Sequence, residues 1–373
     1  MMQRRTLATF ALAASLAAGA CGGGGSSGGG TTTPPPTQPT GPTASQYVNP
    51  VLDADFPDPG VVKASDGSFY AYATQTTGLR IQVSHSTDLV AWSTPAEAMP
   101  TKPAWASQSQ NFWAPDVELR ENGTYVMYYS AQIDADKRLA PGDGFCVGMA
   151  TATTPTGPFA DVGHPVVCGP NATTIDPQGF DDPQTGARYL FWGSGGAPIR
   201  AQQLSATDRS TFAAGSSPSS VVFARNQGYE PLVEGPWLTY RQDQGYYYLF
   251  YSGNSCCGNV NTVHYAVLVA RAKSPTGPYE VLRGADGAAT PVLQYSSAWL
   301  APGHNAVVRL ANGDDWMLYH AINPDKAYLL AGNTDISRRP LLLDKISYQP
   351  NGWPIVGPSG LPTGTPQTKP AVP

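Results

Sequence analysis

From about residue 47 onward, the hydrophobic positions fall into short runs divided by Gly, Pro, Asn and Asp. Five of these runs share one pattern, an aromatic-rich segment closing on a small residue. They are Phe69-Tyr70-Ala71-Tyr72, Tyr125-Val126-Met127-Tyr128, Tyr189-Leu190-Phe191-Trp192, Tyr248-Leu249-Phe250-Tyr251 and Trp316-Met317-Leu318-Tyr319. Short apolar runs bounded by turn formers predict β-strands, and nowhere does a 3.6-residue apolar period predict an amphipathic helix. From Tyr70 through Tyr125, Tyr189 and Tyr248 to Trp316 the spacings are 55, 64, 59 and 68 residues. A longer echo agrees: Ala152-Thr153-Thr154-Pro155-Thr156-Gly157-Pro158-Phe159 returns 120 residues later as Ala272-Lys273-Ser274-Pro275-Thr276-Gly277-Pro278-Tyr279.

Five units of about 60 residues, each holding several short strands, mean that one supersecondary unit is stacked repeatedly. Four-stranded blades set around a channel satisfy both that period and the need to protect strand edges. The fold class read here is all-β, a five-bladed β-propeller forming a single domain over residues 47–357. Leu341 to Val356 is expected to supply the strand that closes the ring. A pair of β-sandwiches would not produce five similar units.

The two ends have a different composition. Arg4 and Arg5 precede an apolar stretch from Leu7 to Ala18, and Ala18-Gly19-Ala20 supplies small residues before Cys21. This is a signal peptide over residues 1–20, too short to span a bilayer as a helix. Cys21 is the candidate lipidation site, although Leu16 lies further upstream of it than a lipoprotein signal usually places that residue. Residues 21–46, rich in Gly, Ser, Thr and Pro, read as a tether with a reach of roughly 25–30 Å. Residues 358–373 read as a flexible tail. The predicted location is therefore periplasmic or cell-surface as a lipoprotein, or otherwise secreted, with the membrane touched only through the anchor.

Charged residues make up only 13% of the chain and the formal charge is -5, which argues against a nucleic-acid partner. A neutral, polar substrate is the easier fit, and the chain is read as a monomer. Beyond Cys21, Cys146 and Cys168 flank a strand–turn–strand segment and could lie side by side. Cys256 and Cys257 are adjacent, leaving either a vicinal bridge or two buried thiols.

Ahead of each aromatic strand sits a short motif with an ionisable residue. These are Asp58-Pro59, Pro115-Asp116, Asp176-Pro177, Glu234-Gly235-Pro236 and Gly303-His304-Asn305, at gaps of 12, 9, 13, 14 and 12 residues from the strand anchor. A propeller brings equivalent positions of successive blades around one axis, so an equal phase places four carboxylates and a His near one end of the channel. Burying them together costs several kcal/mol unless compensated. Paired carboxylates without a nucleophile–His motif or a metal cluster point to glycosidic chemistry, in which one carboxyl donates a proton and another activates water.

These motifs are where the sequence resembles glycoside hydrolase family 43, the five-bladed propeller arabinanases and xylosidases. The resemblance rests on Asn49-Pro50-Val51 with Asp55-Phe56-Pro57-Asp58-Pro59, on Trp113-Ala114-Pro115-Asp116, Ile175-Asp176-Pro177 and Val233-Glu234-Gly235-Pro236. It continues through Ser255-Cys256-Cys257-Gly258 and Pro302-Gly303-His304-Asn305 to Asn351-Gly352-Trp353-Pro354. The resemblance implies an inverting hydrolase of arabinan or arabinofuranosyl-containing polysaccharide. In it Asp58 is the general base, Glu234 the general acid, and Asp176 the modulator of the acid's pKa. Trp113 and Asp116 are expected to support the site. His304 matches a histidine that in many family members lies beside a calcium ion, often through water, and no organic cofactor is implied. Glu230, close to Glu234, lies outside the motif.

Glu234 is followed here by Gly235-Pro236, where Ala-Pro is common in endo-arabinanases, whereas Ser255-Cys256-Cys257-Gly258 looks like the arabinanase branch. A β-xylosidase of the same family is the alternative, although those enzymes usually carry an added C-terminal sandwich. Two other classes compete: a carbohydrate-binding propeller without chemistry, and a fructan-type retaining hydrolase. The three matching carboxylates speak against the first. The second would hold its carboxylates about 5 Å apart rather than roughly 6.5–9.5 Å.

Overall fold

The computed structural model describes residues 43–372; the signal peptide, Cys21 and nearly all of the tether lie outside the described residues. Five antiparallel sheets of four strands follow one another along the chain, the five-bladed β-propeller that the repeats predict. Blade 1 is Gly60–Lys63, Phe69–Ala73, Gln82–Ser86 and Ala96–Glu97; blade 2 is Phe112–Leu119, Tyr125–Gln132, Asp143–Ala152 and Ala160–Pro170. Blade 3 is Gln178–Asp181, Arg188–Trp192, Ile199–Gln203 and Ser219–Val222; blade 4 is Val233–Arg241, Tyr246–Ser255, His264–Ala272 and Glu280–Val281. Blade 5 is Leu300–Arg309, Asp315–Ile322, Leu341–Tyr348 and Pro354–Val356. The first strand of each blade lies against the first strands on either side, lining the axis. Helix is confined, among the described residues, to two short 3₁₀ turns, Ala104–Ala106 and Pro324–Lys326.

The aromatic runs form the second strand of every blade, and they are unbroken because both faces of that strand are buried. In blade 4, Tyr247, Leu249 and Tyr251 turn toward blade 3 and join Phe191 and Ile199. The alternate residues Tyr248 and Phe250 turn toward blade 5 and join Met317 and Tyr319. Strand periodicity thus sends successive side chains into two different cores. The same division recurs around the ring, with separate cores between blades 1 and 2, 2 and 3, and 5 and 1. Each fully buried aromatic contributes on the order of 2–3 kcal/mol.

Ring closure differs from the expectation. Leu341–Tyr348 and Pro354–Val356 are the third and fourth strands of blade 5, so neither crosses into blade 1. The segment leading into blade 1 does the joining. Asn49 bonds both backbone groups of Leu343, Tyr47 donates its hydroxyl to the Leu343 carbonyl at 2.7 Å, and Phe56 N–H reaches the Arg339 carbonyl at 3.0 Å. Residues beyond 358, expected to be loose, are packed as well. Gln367–Thr368 pairs antiparallel with Gln46–Tyr47, and Val372 packs against the core between blades 5 and 1. A Pro- and Thr-rich segment can still form a short edge ladder where its free N–H groups meet a partner.

Asp344 ties these closing elements together. Its carboxyl accepts hydrogen bonds from Tyr319 at 2.6 Å, Asn49 at 3.2 Å and Thr363 at 3.2 Å, with no cation among these partners. Burial pushes its pKa up to about 6, against the hydrogen bonds that pull it down. A carboxyl with a raised folded pKa lends stability that is complete below the unfolded value near 3.8 and is lost as pH rises through 6. That loss is on the order of 3 kcal/mol. Asp344→Asn is therefore expected to gain on the wild type in melting temperature between pH 4 and 7, as read by calorimetry across that range. Parallel melting curves for the two proteins would contradict this assignment.

Cys146 and Cys168 face each other across the third and fourth strands of blade 2 and form a disulfide, as their flanking of a hairpin suggested. Of the two options for Cys256 and Cys257, the structure has the vicinal bridge.

Candidate active site

The inner strands carry the site because of a local irregularity at their starts. Asp58, Ala114, Asp176, Gly235 and His304 all have positive φ, between 46° and 58°. The paired register shifts beside Trp113, Glu234 and Gly303 mark β-bulges. A bulge re-aims the side chains beside it and leaves a backbone N–H outside the ladder. Four of the five N–H groups find a partner at the end of the preceding blade's second strand. Ala114 N–H donates to Thr74 Oγ1 at 2.9 Å, Asp176 N–H to Ser130 Oγ at 2.9 Å and His304 N–H to Ser252 Oγ at 2.8 Å. Asp58 N–H donates to His320 Nδ1 at 3.1 Å, closing the circle from blade 5 to blade 1. Blade 4 departs from this pattern: Gly235 N–H goes to Asp176 Oδ2 at 3.2 Å, and Ser194 Oγ turns instead to Glu234 Oε2.

This ring corrects the phase read from the sequence. The true equivalents of Asp58 and Asp176 are Ala114, Gly235 and His304. Glu234 lies one residue earlier and Asp116 two residues later. Asp58, Asp176, Glu234 and His304 are brought together: His304 Nδ1 is 3.6 Å from Asp58 Oδ1 and 3.9 Å from Asp176 Oδ2. Glu234 adjoins Gly235, the residue bonded to Asp176. Asp116 does not join them. It is buried further along its strand, where it accepts the Gly179 N–H at 2.8 Å and so links blade 2 to blade 3. Gln178 makes the corresponding link from blade 3 to Leu238 of blade 4. Trp113 stands opposite Ser130, as Glu234 stands opposite Ser252, and its half-buried ring stacks on Phe145 with centroids 4.4 Å apart. Glu230 is buried in an ion pair with Arg283 at 2.8 and 2.9 Å, well accounted for without chemistry.

The three clustered carboxyls sit in unlike fields. Burial pushes Asp58 up, but the opposing influences, led by the charge of Arg339, outweigh it and hold the group well below the usual carboxylate range. Arg339 Nη1 lies 2.8 Å from Asp58 Oδ1, and Thr74 donates to Oδ2 at 2.6 Å. Burial raises Asp176, and the charges of Glu234 and Asp58 raise it further. Burial raises Glu234 too, against hydroxyls donated by Ser194 and Tyr265, with Asp58 adding to the rise. Two buried carboxyls beside a fixed anion favour holding a proton between them. Their partners differ in kind. A backbone N–H can only donate, so Gly235 favours Asp176 as the anion. The partners of Glu234 are hydroxyls, which can also accept, so Glu234 keeps the proton without losing a hydrogen bond.

Arg339, Tyr265, His320 and the ring of hydroxyls were not singled out in the sequence. For the hydroxyls there was a signal: Thr74, Ser130, Ser194 and Ser252 fall one or two residues after the first four aromatic runs, and His320 directly follows the fifth. Burial lowers the His320 pKa to about 4. Its Nδ1 accepts from Asp58 N–H, so the neutral ring carries its proton on Nε2. That Nε2 and both polar atoms of the Asn305 amide are buried without a protein partner. Among the described residues no three His, Cys, Asp or Glu side chains are grouped to hold a metal. Calcium takes six to eight oxygens, so an ion beside His304 fits only with water as most of its shell.

Comparison with known proteins agrees with this geometry. The family described as Glycosyl hydrolases family 43 matches residues 47–354. An extracellular endo-alpha-(1->5)-L-arabinanase of Bacillus subtilis (strain 168) is 30% identical over 309 residues, covering 80% of this chain and 86% of that protein. An extracellular exo-alpha-(1->5)-L-arabinofuranosidase of Cellvibrio japonicus (strain Ueda107) is 26% identical, covering 81% and 86%. The crystal structure of an exo-1,5-alpha-L-arabinanase from a bovine ruminal metagenomic library superposes with a TM-score of 0.64 at 26% identity. It covers 82% of this chain and 98% of that one.

Proposed function

From the premise that this chain belongs to glycoside hydrolase family 43, we propose that it hydrolyses α-1,5-linked arabinan, inverting the anomeric carbon. One observation carries the reading: a carboxylate kept ionised by Arg339 shares a site with two buried carboxyls that compete for a proton. In this reading Asp58 takes a proton from water, whose oxygen attacks the anomeric carbon. Glu234 gives its proton to the departing glycosidic oxygen on the opposite face. Asp176, held anionic by Gly235 N–H, repels the negative form of Glu234 and keeps the acid loaded. Arg339 and Thr74 occupy separate oxygens of Asp58 and fix its direction. Trp113 presents an aromatic ring on the rim for a sugar face, whereas Asp116 supports the site only through the blade-to-blade link. Calcium near His304, held through water, would add positive field beside the carboxyls, and elemental analysis of the purified protein checks for it.

The substrate is tested by incubating the enzyme with linear arabinan, branched arabinan, xylan and aryl glycosides, with product lengths read by chromatography. Arabino-oligosaccharides or arabinose from linear arabinan are expected. Xylose as the main product would replace this reading with the xylosidase one. The extracellular relatives support action after export, and we propose Cys21 as the lipid-bearing N-terminus of the mature protein. Intact mass checks the anchor, since an unmodified chain beginning at Cys21 in the culture medium would rule it out.

A further inference from the structure

A hydroxyl beside a carboxyl can donate strongly only to the ionised form. A neighbouring negative charge favours the protonated form. A general acid gripped by both has its strength set by their balance. Glu234 is held in this way from two blades. Asp176 of blade 3 supplies the charge, Ser194 of the same blade holds Oε2, and Tyr265 of blade 4 donates to Oε1 at 2.7 Å.

Tyr265 has almost no freedom. Its side chain is 1% exposed, and its ring lies 3° from parallel to His320 with centroids 5.9 Å apart. The ring also packs on Gly303, where a Cβ would come within 2.2 Å of two ring carbons. The residue opposite that ring therefore has to be glycine. So clamped, the phenol oxygen is aimed at one oxygen of the acid, and its ring also backs the histidine that receives Asp58 N–H.

We propose that Tyr265 is a positioning residue for the reaction. Its hydroxyl fixes the general acid and offsets Asp176, so that Glu234 releases its proton to the leaving oxygen rather than retaining it. When the proton moves to the departing sugar, Glu234 becomes a carboxylate, and the Tyr265 and Ser194 hydroxyls bond to it more strongly than to the acid. Water later returns the proton. Burial and the charges of Glu234 and Asp176 push the phenol's pKa far above its ordinary value, so Tyr265 remains a donor throughout the working range.

This inference rests on reading Glu234 as the acid, and opposite signs test it. Tyr265→Phe keeps the ring on His320 and Gly303 and removes only the hydroxyl. The alkaline limb of its kcat/KM profile on arabinan should move up by about one pH unit, the worth of one hydrogen bond to a charged group. Asp176→Asn should move the same limb down. Replacing Tyr265 with 3,5-difluorotyrosine, a stronger donor of nearly the same shape, should also lower the limb and covers the case in which the Phe variant folds poorly. A limb unmoved by both Tyr265 changes, with activity reduced equally on arabinan and on an activated aryl arabinoside, would leave Tyr265 a packing role only. Failure of the acid reading looks different: Glu234→Gln would then keep its activity on arabinan whatever Tyr265 does.

Discussion

Glu234→Gln is expected to lower kcat on arabinan by about 10²–10⁴-fold, the range general acid catalysis supplies. The amide matches the carboxyl in shape and can still bond Ser194 and Tyr265, so the loss reports the missing proton rather than a collapsed site. The leaving group is the diagnostic. A sugar hydroxyl is a poor anion and needs the proton as the bond breaks, whereas an activated nitrophenolate leaves unaided. On an aryl arabinoside the same variant should lose less than about tenfold, because help with departure is then barely required. Rates across aryl arabinosides of graded leaving-group pKa check this: the variant should depend on that pKa more steeply than the wild type. Equal losses on both kinds of substrate would remove Glu234 from the role of acid. The field around the residue supports the expectation. Burial and the Asp58 charge raise its pKa, against the hydroxyls of Ser194 and Tyr265 and the charge of Arg339.

The propeller was legible in the sequence because its cause is periodic. A strand buried on both faces must be apolar at every position, and five such strands at similar spacing leave little else to build. The site was legible in part. Asp58, Asp176 and Glu234 were marked by the family motifs and do meet. Equal phase was nonetheless the wrong argument for two of the five positions. Bulges at the starts of the inner strands shift residues relative to the partner strand, and a spacing counted from the next strand cannot show them. The gap of 9 residues ahead of Tyr125, shorter than the rest, was the visible sign that Asp116 lies further down its strand.

Other parts depended on contacts that no local pattern encodes. Arg339 follows Arg338 in a loop segment, and nothing near it marks which arginine meets Asp58, 281 residues away. Tyr265 is one of 19 tyrosines, and only its place across from blade 5 distinguishes it. The C-terminal segment misled for a compositional reason. Pro and Thr suggest a loose tail, yet two residues with free backbone donors suffice to pair with Gln46–Tyr47, and Asp344 holds Thr363 from below.

Asp58→Asn is expected to be severe on every substrate, by about 10³-fold or more for arabinan and aryl arabinoside alike, because water needs a base whatever leaves. The contrast with Glu234→Gln is the substance of the assignment. The loss should be purely chemical, since Asn keeps the hydrogen bond from Thr74 and leaves Asp58's backbone bond to His320 intact. Arg339 would then face an uncharged amide, so some loss of stability should accompany the loss of rate, and melting curves separate the two. In the wild type the depressed pKa of Asp58 keeps the base ionised well into the acid range, so activity should fall only at low pH. A small anion such as azide, needing no base, can occupy the place of the water in the variant. It should restore turnover of the aryl arabinoside and leave an arabinosyl azide of inverted configuration. Proton NMR of the first product from the wild type tests the same geometry: the hemiacetal should appear with its anomeric configuration opposite to the substrate's. Retained configuration would require a covalent intermediate on one of these carboxylates, and the assignment of Asp58 as base would be replaced by that of a nucleophile.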